Sequence, residues 1–419
     1  MITRTNPFFF WINGIHKTTL FGVLALLIIG LFLSFSLSYS ASEKIGLQSL
    51  SFFIKQAVFT FIAIFIMLVF SSVSPEKLKW FAFLCFFFVI IILIATLFTP
   101  GVKGAKRWIN IAGFSLQPSE FLKPFYIYIF SFLFSTIEVL KLKNESRKKI
   151  GNVIFLLFFL QAITIFLLFL QPDFGMIITF TFLFLSFFYI NLKSIKSFFL
   201  WFILIIAIAI AIGSSLSHVK HRVKTFLFGM ENYQSKLATK AIQNGGFFGK
   251  GITESQLKFI LPEAHNDFIF AISIEEFGFI FAGILGLIFI VIIFSNFLYI
   301  FHFKEKLVKM FSRIESNSHA FDEELIGEIV KKNYKLKTSS GKNYLNIYHD
   351  FIFCRNFIFS ACILLFFEFF LNVSVSLDLV PTKGIAMPFI SYGGSSLVSH
   401  GILIGFLLAF NKRRYFFLV

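Results

Sequence analysis

Long runs of apolar side chains, separated by short polar segments, are the main feature of the sequence. The hydrocarbon core of a bilayer is about 30 Å thick, so a helix needs about 20 apolar residues to cross it. Ten runs reach that length, and each is predicted to form a membrane-spanning helix. They are residues 18–40, 50–73, 79–99, 118–140, 151–170, 174–192, 197–216, 266–299, 351–376 and 389–411. Only Gln171-Pro172-Asp173 separates the fifth run from the sixth.

The composition excludes a soluble globular protein. Apolar residues make up 57% of the 419 positions, and charged residues make up 14%, against about 25% in soluble domains. Lysine and arginine number 38 against 21 acidic residues, a formal charge of +17. This excess favours contact with anionic lipid or anionic ligands over binding of nucleic acid. The three cysteines lie in or beside apolar runs without metal-ligand spacing, so neither a disulfide framework nor a metal site is predicted.

Basic residues occur in every second loop, and this alternation predicts the orientation of the helices. Cytoplasmic loops of membrane proteins carry an excess of lysine and arginine. The sequence therefore predicts an all-α protein of ten transmembrane helices with both termini in the cytoplasm. Residues 1–419 are predicted to form a single integral membrane domain, with a large extracytoplasmic loop at 217–264 and a cytoplasmic loop at 300–350.

Three outer loops, at 100–117, 217–264 and 377–388, carry cations against this charge bias. Lys106 and Arg107 lie in the loop at 100–117, and Lys383 lies in the loop at 377–388. Cations at these positions indicate an anionic partner on the outer face. The alternative is a solvated loop with lysines of no particular role, which applies best to the long loop at 217–264.

A pair of ionisable residues, Glu120 and Lys123, lies at the start of the fourth predicted span. Pro118 suits the first turn of a helix, and residues three apart share a helix face. One interpretation is a local ion pair that satisfies itself. The other is that one member pairs elsewhere and that this face lines a hydrophilic cavity.

Asp267 lies at the point where the eighth apolar run begins. A carboxylate at this position can simply stabilise the N-terminus of a helix. Its depth in the outer leaflet also suits a general base, because burial and nearby cations would tune its pKa. Glu275 and Glu276 lie two turns deeper, and for them a structural role is at least as well supported as a catalytic one.

The segment from Pro381 to Ser396 is rich in glycine, serine and proline. Irregular backbone at membrane depth is tolerated only against protein or a wet cavity, so Ser391 and Ser395 are candidate substrate-binding residues. Small residues also allow close packing of helices, and the sequence leaves the two interpretations open. The glycines from Gly245 to Gly251 lack the strand and the Lys-Ser/Thr pair of a phosphate-binding loop.

Several of these strings together resemble the SEDS family of polytopic shape, elongation, division and sporulation proteins. They occur in order over most of the chain and are Gly104–Ile109, Gln117–Lys123, Gln171–Gly175, Ala241–Gly251, Leu261–Ala271, Glu275–Gly278 and Pro381–Ser396. Pro381-Thr382-Lys383-Gly384 resembles the FtsW branch of division proteins more than the RodA branch. Asn266, Ile274 and Glu368 depart from the family pattern, where Thr or Ser, Gly, and Gln are usual.

The resemblance implies a peptidoglycan glycosyltransferase that polymerises lipid II in the cytoplasmic (inner) membrane at the division septum. It implies a penicillin-binding transpeptidase, other division proteins and membrane lipid as partners. It also implies that Asp267 is the essential carboxylate and that Lys123 lies near it. The hypothesis is that Asp267 acts as base in an inverting reaction that releases undecaprenyl diphosphate. Candidate substrate-binding residues are Lys123, Glu120, Arg107, Lys106, Lys383, Ser391 and Ser395.

Three alternatives stay open at this stage. One is a flippase of the lipid-linked precursor, which would need a comparable cationic cavity on the inner side. The second is the elongation-type RodA polymerase, and the third is a scaffold without catalysis. No cofactor is evident, although a divalent cation such as Mg²⁺ binds phosphates with few protein ligands and stays compatible with the sequence.

Overall fold

The computed structural model describes residue 11 and residues 14–45, 50–101, 105–111, 114–192, 233–312, 344–380 and 385–411. Helices account for most of this part of the chain. They are α1 (Lys17–Ile45), α2 (Ser51–Ser72), α3 (Pro75–Thr96), α4 (Pro118–Leu142), α5 (Arg147–Leu170), α6 (Phe174–Leu192), α7 (Tyr233–Gly245), α8 (Leu257–Ile260), α9 (Ile269–Ser312), α10 (Tyr344–Ser376) and α11 (Gly394–Phe410). A short antiparallel hairpin, β1 (Ile109–Ile111) and β2 (Phe114–Leu116), precedes α4.

The prediction of a helical membrane protein is confirmed. Eight of the described helices are long and apolar enough to cross a membrane, namely α1 to α6, α9 and α10. The ninth apolar helix, α11, has 17 residues. The predicted span at 197–216 lies outside the described residues. The predicted break between the fifth and sixth spans is confirmed, because α5 ends at Leu170 and α6 begins at Phe174.

Local sequence signals account for several helix starts. Proline lacks a backbone N–H and suits the first turn of a helix, and Pro75 and Pro118 open α3 and α4. The hydroxyl oxygen of Ser146 accepts a hydrogen bond from the Lys149 N–H and caps α5. These signals place the helix ends at the polar segments, where the chain turns.

The centre of the bundle is formed by α4, α10 and α11. In the most apolar stretches of α4 and α10, 61% of the residues are buried within the protein, against 28% in α2, α3 and α5. Nearly every residue of α11 is buried as well. Polar and ionisable side chains within these buried stretches therefore face protein rather than lipid.

The segment after α7 interlocks with a kink in α9. The kink is at Gly278, whose φ of 77° is unfavourable for residues with a side chain. Two backbone N–H groups of the segment, those of Lys250 and Gly251, donate to the carbonyls of Glu275 and Glu276 at 2.8 and 2.9 Å. In return, the Phe279 N–H donates to the Gly246 carbonyl at 2.9 Å. The backbones pack so closely that a Cβ added at Gly249 would overlap the Glu276 carbonyl.

Replacement of Gly249 by alanine should lower the thermal stability of the purified protein. Gly249 combines a φ of +79° with backbone contact, so the new Cβ must push the segment away from α9. We expect a loss greater than the roughly 1–2 kcal/mol that a left-handed conformation alone costs an L-residue. The melting temperature in detergent measures this effect.

Gly251→Ala is the matched control. Gly251 has a similar φ of +85°, but nothing lies within 4 Å of the position of its Cβ. Equal losses in the two variants would show that close backbone contact contributes nothing to the interlock.

Candidate active site

Arg107 connects the loop before α4 to the loop between α5 and α6. Its Nη1 lies 3.5 Å from Asp173 Oδ1, and its Nη2 donates to the Pro172 carbonyl. Asp173 is buried, and its Oδ2 accepts a hydrogen bond from Gln117 Nε2 at 3.0 Å. Three segments that the sequence singled out separately therefore meet at one end of the bundle.

Arg107 and Lys106 keep solvent-accessible surface at this end. The Arg107 side chain is 31% exposed despite its contacts. Lys106 is exposed, and its Nζ donates to the Leu97 carbonyl at 2.9 Å. Both cations can therefore contact an anionic group that approaches this end of the bundle.

The loop that carries Asp267 is held by hydrogen bonds to three consecutive carbonyls. Asn372 Nδ2 donates to the Asp267 carbonyl at 3.2 Å, and Ser391 Oγ donates to the Asn266 carbonyl at 2.7 Å. The Tyr392 N–H donates to the His265 carbonyl at 3.0 Å. These bonds come from α10 and from the segment before α11. The backbone of Asp267 is thus fixed on two sides, two residues before α9 begins.

The segment at 385–393 is tied both to this loop and to the bundle. Ser391 Oγ accepts from the Met387 N–H at 2.8 Å, and the Ser391 carbonyl accepts from Gln56 Nε2 at 3.3 Å. The Tyr392 ring packs against His265 with a centroid distance of 5.5 Å, and burial raises the pKa of its phenol. The segment is therefore held by contacts with α2 and with the loop that carries Asp267.

The two predicted serines both link segments of the site. Ser391 joins the 385–393 segment to the Asp267 loop. Ser395 Oγ accepts from the Gln117 N–H at 2.9 Å and so joins the start of α11 to the start of α4. Both side chains are buried. Their binding of substrate stays a prediction, and the geometry shows them as connections between loops.

Lys123 and Glu120 belong to a buried network that spans three helices. Lys123 Nζ lies 2.5 Å from Glu120 Oε2 and 2.6 Å from Glu368 Oε1 on α10. The second oxygen of Glu368 lies 2.7 Å from His400 Nε2 on α11. Ser399 Oγ also donates to the Glu120 carbonyl at 2.6 Å. Both interpretations of the Glu120 and Lys123 pair hold in part, because Lys123 binds its local partner and a distant one.

Glu368 and His400 were not predicted as parts of the site. An ionisable residue inside an apolar run is costly in a membrane and is itself a signal for a partner. Glu368 also departs from the family pattern. Neither signal indicates which residue is the partner, because the pairs lie 245 and 32 positions apart along the chain.

The buried network is connected to Asp267 through α10. Glu368 and Asn372 lie four residues apart, so they share a helix face with a rise of about 6 Å between them. Lys123 and His400 hold the first of these residues, and the second donates to the Asp267 carbonyl. The position of Asp267 therefore depends on a helix that the network holds in place.

Glu275 and Glu276 take part in a separate buried cluster. Glu276 lies 2.7 Å from Lys258 Nζ and accepts from Ser36 Oγ at 2.7 Å. Glu275 accepts from Ser255 Oγ at 2.7 Å. These contacts join α1, α8 and α9 beside the interlock. They support the structural role that the sequence analysis left open.

The structure describes only some of the remaining predicted positions. Lys383 and the residues from 193 to 232 lie outside the described residues. Among the residues that are described, no three histidine, cysteine, aspartate or glutamate side chains cluster as metal ligands would. A divalent cation stays a prediction that would find its ligands mainly on phosphate oxygens.

Relatives and solved structures share this fold over nearly the whole chain. The model of the cell cycle protein family FtsW/RodA/SpoVE matches residues 17–317 and 346–415. The probable peptidoglycan glycosyltransferase FtsW of Caulobacter vibrioides is 31% identical over 405 residues, covering 94% of this chain and 89% of that protein. The protein of the same name from Buchnera aphidicola is 30% identical, covering 97% of this chain and 90% of that protein.

Two solved structures support the same architecture. A chain of a peptidoglycan synthase complex that coordinates polymerization and crosslinking has a TM-score of 0.66 and 18% identity. The rod shape determining protein RodA of Thermus thermophilus has a TM-score of 0.57 and 18% identity. Each comparison covers 96% of this chain and 98% of the other.

The fold and the site define a multi-pass membrane protein with a polar site at one end of its helix bundle. The chain belongs to the FtsW/RodA/SpoVE family of cell cycle proteins. The predicted SEDS family is therefore confirmed, and so is the resemblance to FtsW.

Replacement of Lys123 by methionine should strongly destabilise the protein. The change leaves Glu120 and Glu368 facing each other without the ammonium group that neutralises them. Removal of one partner from a buried ion pair typically costs about 3–5 kcal/mol. Thermal unfolding of the purified protein in detergent measures the loss.

Lys149→Met is the matched control for this prediction. Lys149 forms an exposed pair with Glu145 at 2.9 Å and is 63% exposed. Exposed pairs contribute little to stability, so we expect no measurable shift in melting temperature. A similar shift in both variants would contradict the structural importance of the buried network.

Proposed function

We propose that this chain polymerises lipid II as a peptidoglycan glycosyltransferase of the division type, with Asp267 as the general base. Family membership supports the enzyme class, as do FtsW relatives that cover about nine-tenths of the chain. The observation that carries the role of Asp267 is the fixation of its backbone from two sides, beside exposed cations at the same end. Catalytic groups need rigid support of this kind.

The reaction needs one base and a cationic contact for the leaving group. A hydroxyl of the acceptor sugar attacks the anomeric carbon of the donor, while Asp267 takes the hydroxyl proton. The bond between that carbon and the diphosphate oxygen breaks, and its electron pair leaves with undecaprenyl diphosphate. Attack opposite to the leaving group inverts the anomeric centre. The diphosphate is already a good leaving group, so no acid has to protonate it.

Arg107 and Lys106 are the cations proposed to contact the diphosphate. Both are accessible at the end of the bundle where the Asp267 loop lies. One ion pair and two hydrogen bonds connect the two parts: Arg107 pairs with Asp173, Asp173 accepts from the Gln117 side chain, and the Gln117 N–H donates to Ser395 at the start of α11. Positive groups placed where negative charge develops stabilise a transition state. Lys383 stays a further candidate in this role.

The buried network is proposed to support the site rather than to bind substrate. Lys123 is 2% exposed and lies between two carboxylates, so its ammonium group is already neutralised. The partly exposed guanidinium of Arg107 can contact a diphosphate at a smaller desolvation cost. The predicted substrate contacts of Lys123 and Glu120 are therefore less well supported than those of Arg107.

The partners and the location follow from the same assignment. A similar fold occurs in a chain of a complex that coordinates polymerization and crosslinking. This likeness supports a penicillin-binding transpeptidase as partner of the present chain. The inner membrane at the division septum is the proposed location, where other division proteins would bind, including at the cytoplasmic loop predicted at 300–350.

Replacement of Asp267 by asparagine should nearly abolish polymerisation while the protein stays folded. The variant keeps the shape of the side chain but cannot accept the hydroxyl proton. A positioned general base typically contributes a factor of about 10²–10⁴, and we expect a loss of that order in kcat. Glycan strands formed from lipid II by the purified protein with its transpeptidase partner are the measurement.

Asp378→Asn is the matched control. Asp378 is an exposed acid shortly after α10 with a φ of 56°, a conformation that asparagine tolerates. We expect this variant to polymerise lipid II at the wild-type rate. Wild-type polymerisation by the Asp267→Asn variant would end the assignment. Transfer of lipid II across proteoliposomes without polymer formation would instead favour the flippase alternative.

A further inference from the structure

His400 is a buried histidine in the middle of an apolar helix, outside the loops that form the candidate active site. It is 1% exposed. Its Nε2 lies 2.7 Å from Glu368 Oε2, and its Nδ1 lies 2.7 Å from the carbonyl oxygen of Ser396. Such close contacts at both ring nitrogens determine which atoms carry protons.

Both partners of the ring are hydrogen-bond acceptors. A backbone carbonyl oxygen can only accept, and a carboxylate that is paired with an ammonium group also only accepts. With Glu368 in its ionised form, both nitrogens of His400 donate, and this corresponds to the positively charged imidazolium form. The longer contact of 3.3 Å between Nδ1 and Ser396 Oγ is compatible with this arrangement.

The charges of the network balance when His400 is charged. Glu120 and Glu368 contribute two negative charges, and Lys123 and His400 contribute two positive charges. Within the described part of the chain, α4 presents Glu120 and Lys123 to this cluster, and α10 presents Glu368. An uncharged residue at 400 would leave one surplus negative charge in a buried site at membrane depth.

We infer that His400, as an imidazolium ion, is a positioning residue for the reaction at Asp267. It fixes the orientation of Glu368 from the side opposite Lys123. Glu368 in turn fixes the face of α10 that carries Asn372, the residue that donates to the Asp267 carbonyl. This inference rests on the proposed glycosyltransferase function. His400 itself contacts no reacting atom.

A double-mutant cycle between residues 400 and 368 tests the inference. His400→Met removes the charge and both donors, and leaves the Glu368 carboxylate with a surplus negative charge. We expect kcat for lipid II polymerisation to fall at least about tenfold, because a buried charge has lost a partner. The KM for lipid II should change by less than about twofold, since substrate contacts are unaltered.

The same substitution should have a smaller effect when residue 368 is neutral. In the Glu368→Gln background, Lys123 and Glu120 still form a neutral pair, so His400→Met leaves no surplus charge. We expect it to lower kcat by less than about threefold in that background, a clear departure from additivity. His349→Met is the control. His349 Nε2 lies 3.0 Å from Ser135 Oγ, and its contact is therefore not with Glu368. Its effect should be the same in both backgrounds.

Each outcome supports or overturns the inference. Equal losses from His400→Met in the two backgrounds would show that the ring serves packing alone and would overturn it. If His400→Met fails to fold, recovery of a folded, active double variant supports it, and failure of the double variant overturns it. Absence of polymer from the wild-type protein would overturn the proposed function, and this inference with it. If the wild-type protein forms polymer but the effects of the two substitutions on kcat are additive, the inference about His400 is overturned and the proposed function stands.

Discussion

The arrangement of the helices depends on the need to neutralise buried charge within the bundle. Lys123, Glu120, Glu368 and His400 lie at membrane depth with almost no exposure. A charge in that environment is tolerated only beside its partners. Apolar packing between membrane helices is weakly specific, because lipid tails compete for the same contacts. The charged network therefore selects the register in which α4, α10 and α11 meet.

This constraint extends to the end of the bundle where the candidate site lies. The helix face fixed at Glu368 carries Asn372, which bonds the carbonyls of Asp267 and Ile385. Ser391 and Ser395 extend the connection to the Asp267 loop and to the start of α4. Irregular backbone at the ends of the spans is thus supported by residues inside them. Rigid support of this kind is what the proposed role of Asp267 as general base requires.

The sequence predicted those features that depend on local pattern. Apolar runs located the spans, the break at Gln171-Pro172-Asp173 was correct, and the three-residue spacing of Glu120 and Lys123 indicated their pairing. The Glu368–His400 pair and the interlock at Gly249 were not predicted. Both arise from contacts between distant segments, and the apolar runs that bring them together are equally compatible with other helix arrangements.

Arg107 and Lys123 differ in burial, and the difference bears on which of them can bind a diphosphate. A cation that binds a diphosphate must be accessible before substrate arrives, and it must not already be neutralised. Arg107 meets the first condition at 31% exposure, although Asp173 lies 3.5 Å from one of its nitrogens. Lys123 meets neither, because it is 2% exposed and has two carboxylates within 2.6 Å. To release Lys123 toward a substrate would leave Glu120 without its cation and would remove one of the two cationic partners of Glu368. This difference in burial supports the proposal that loop cations contact the leaving group, while the cation inside the bundle stabilises the helix packing.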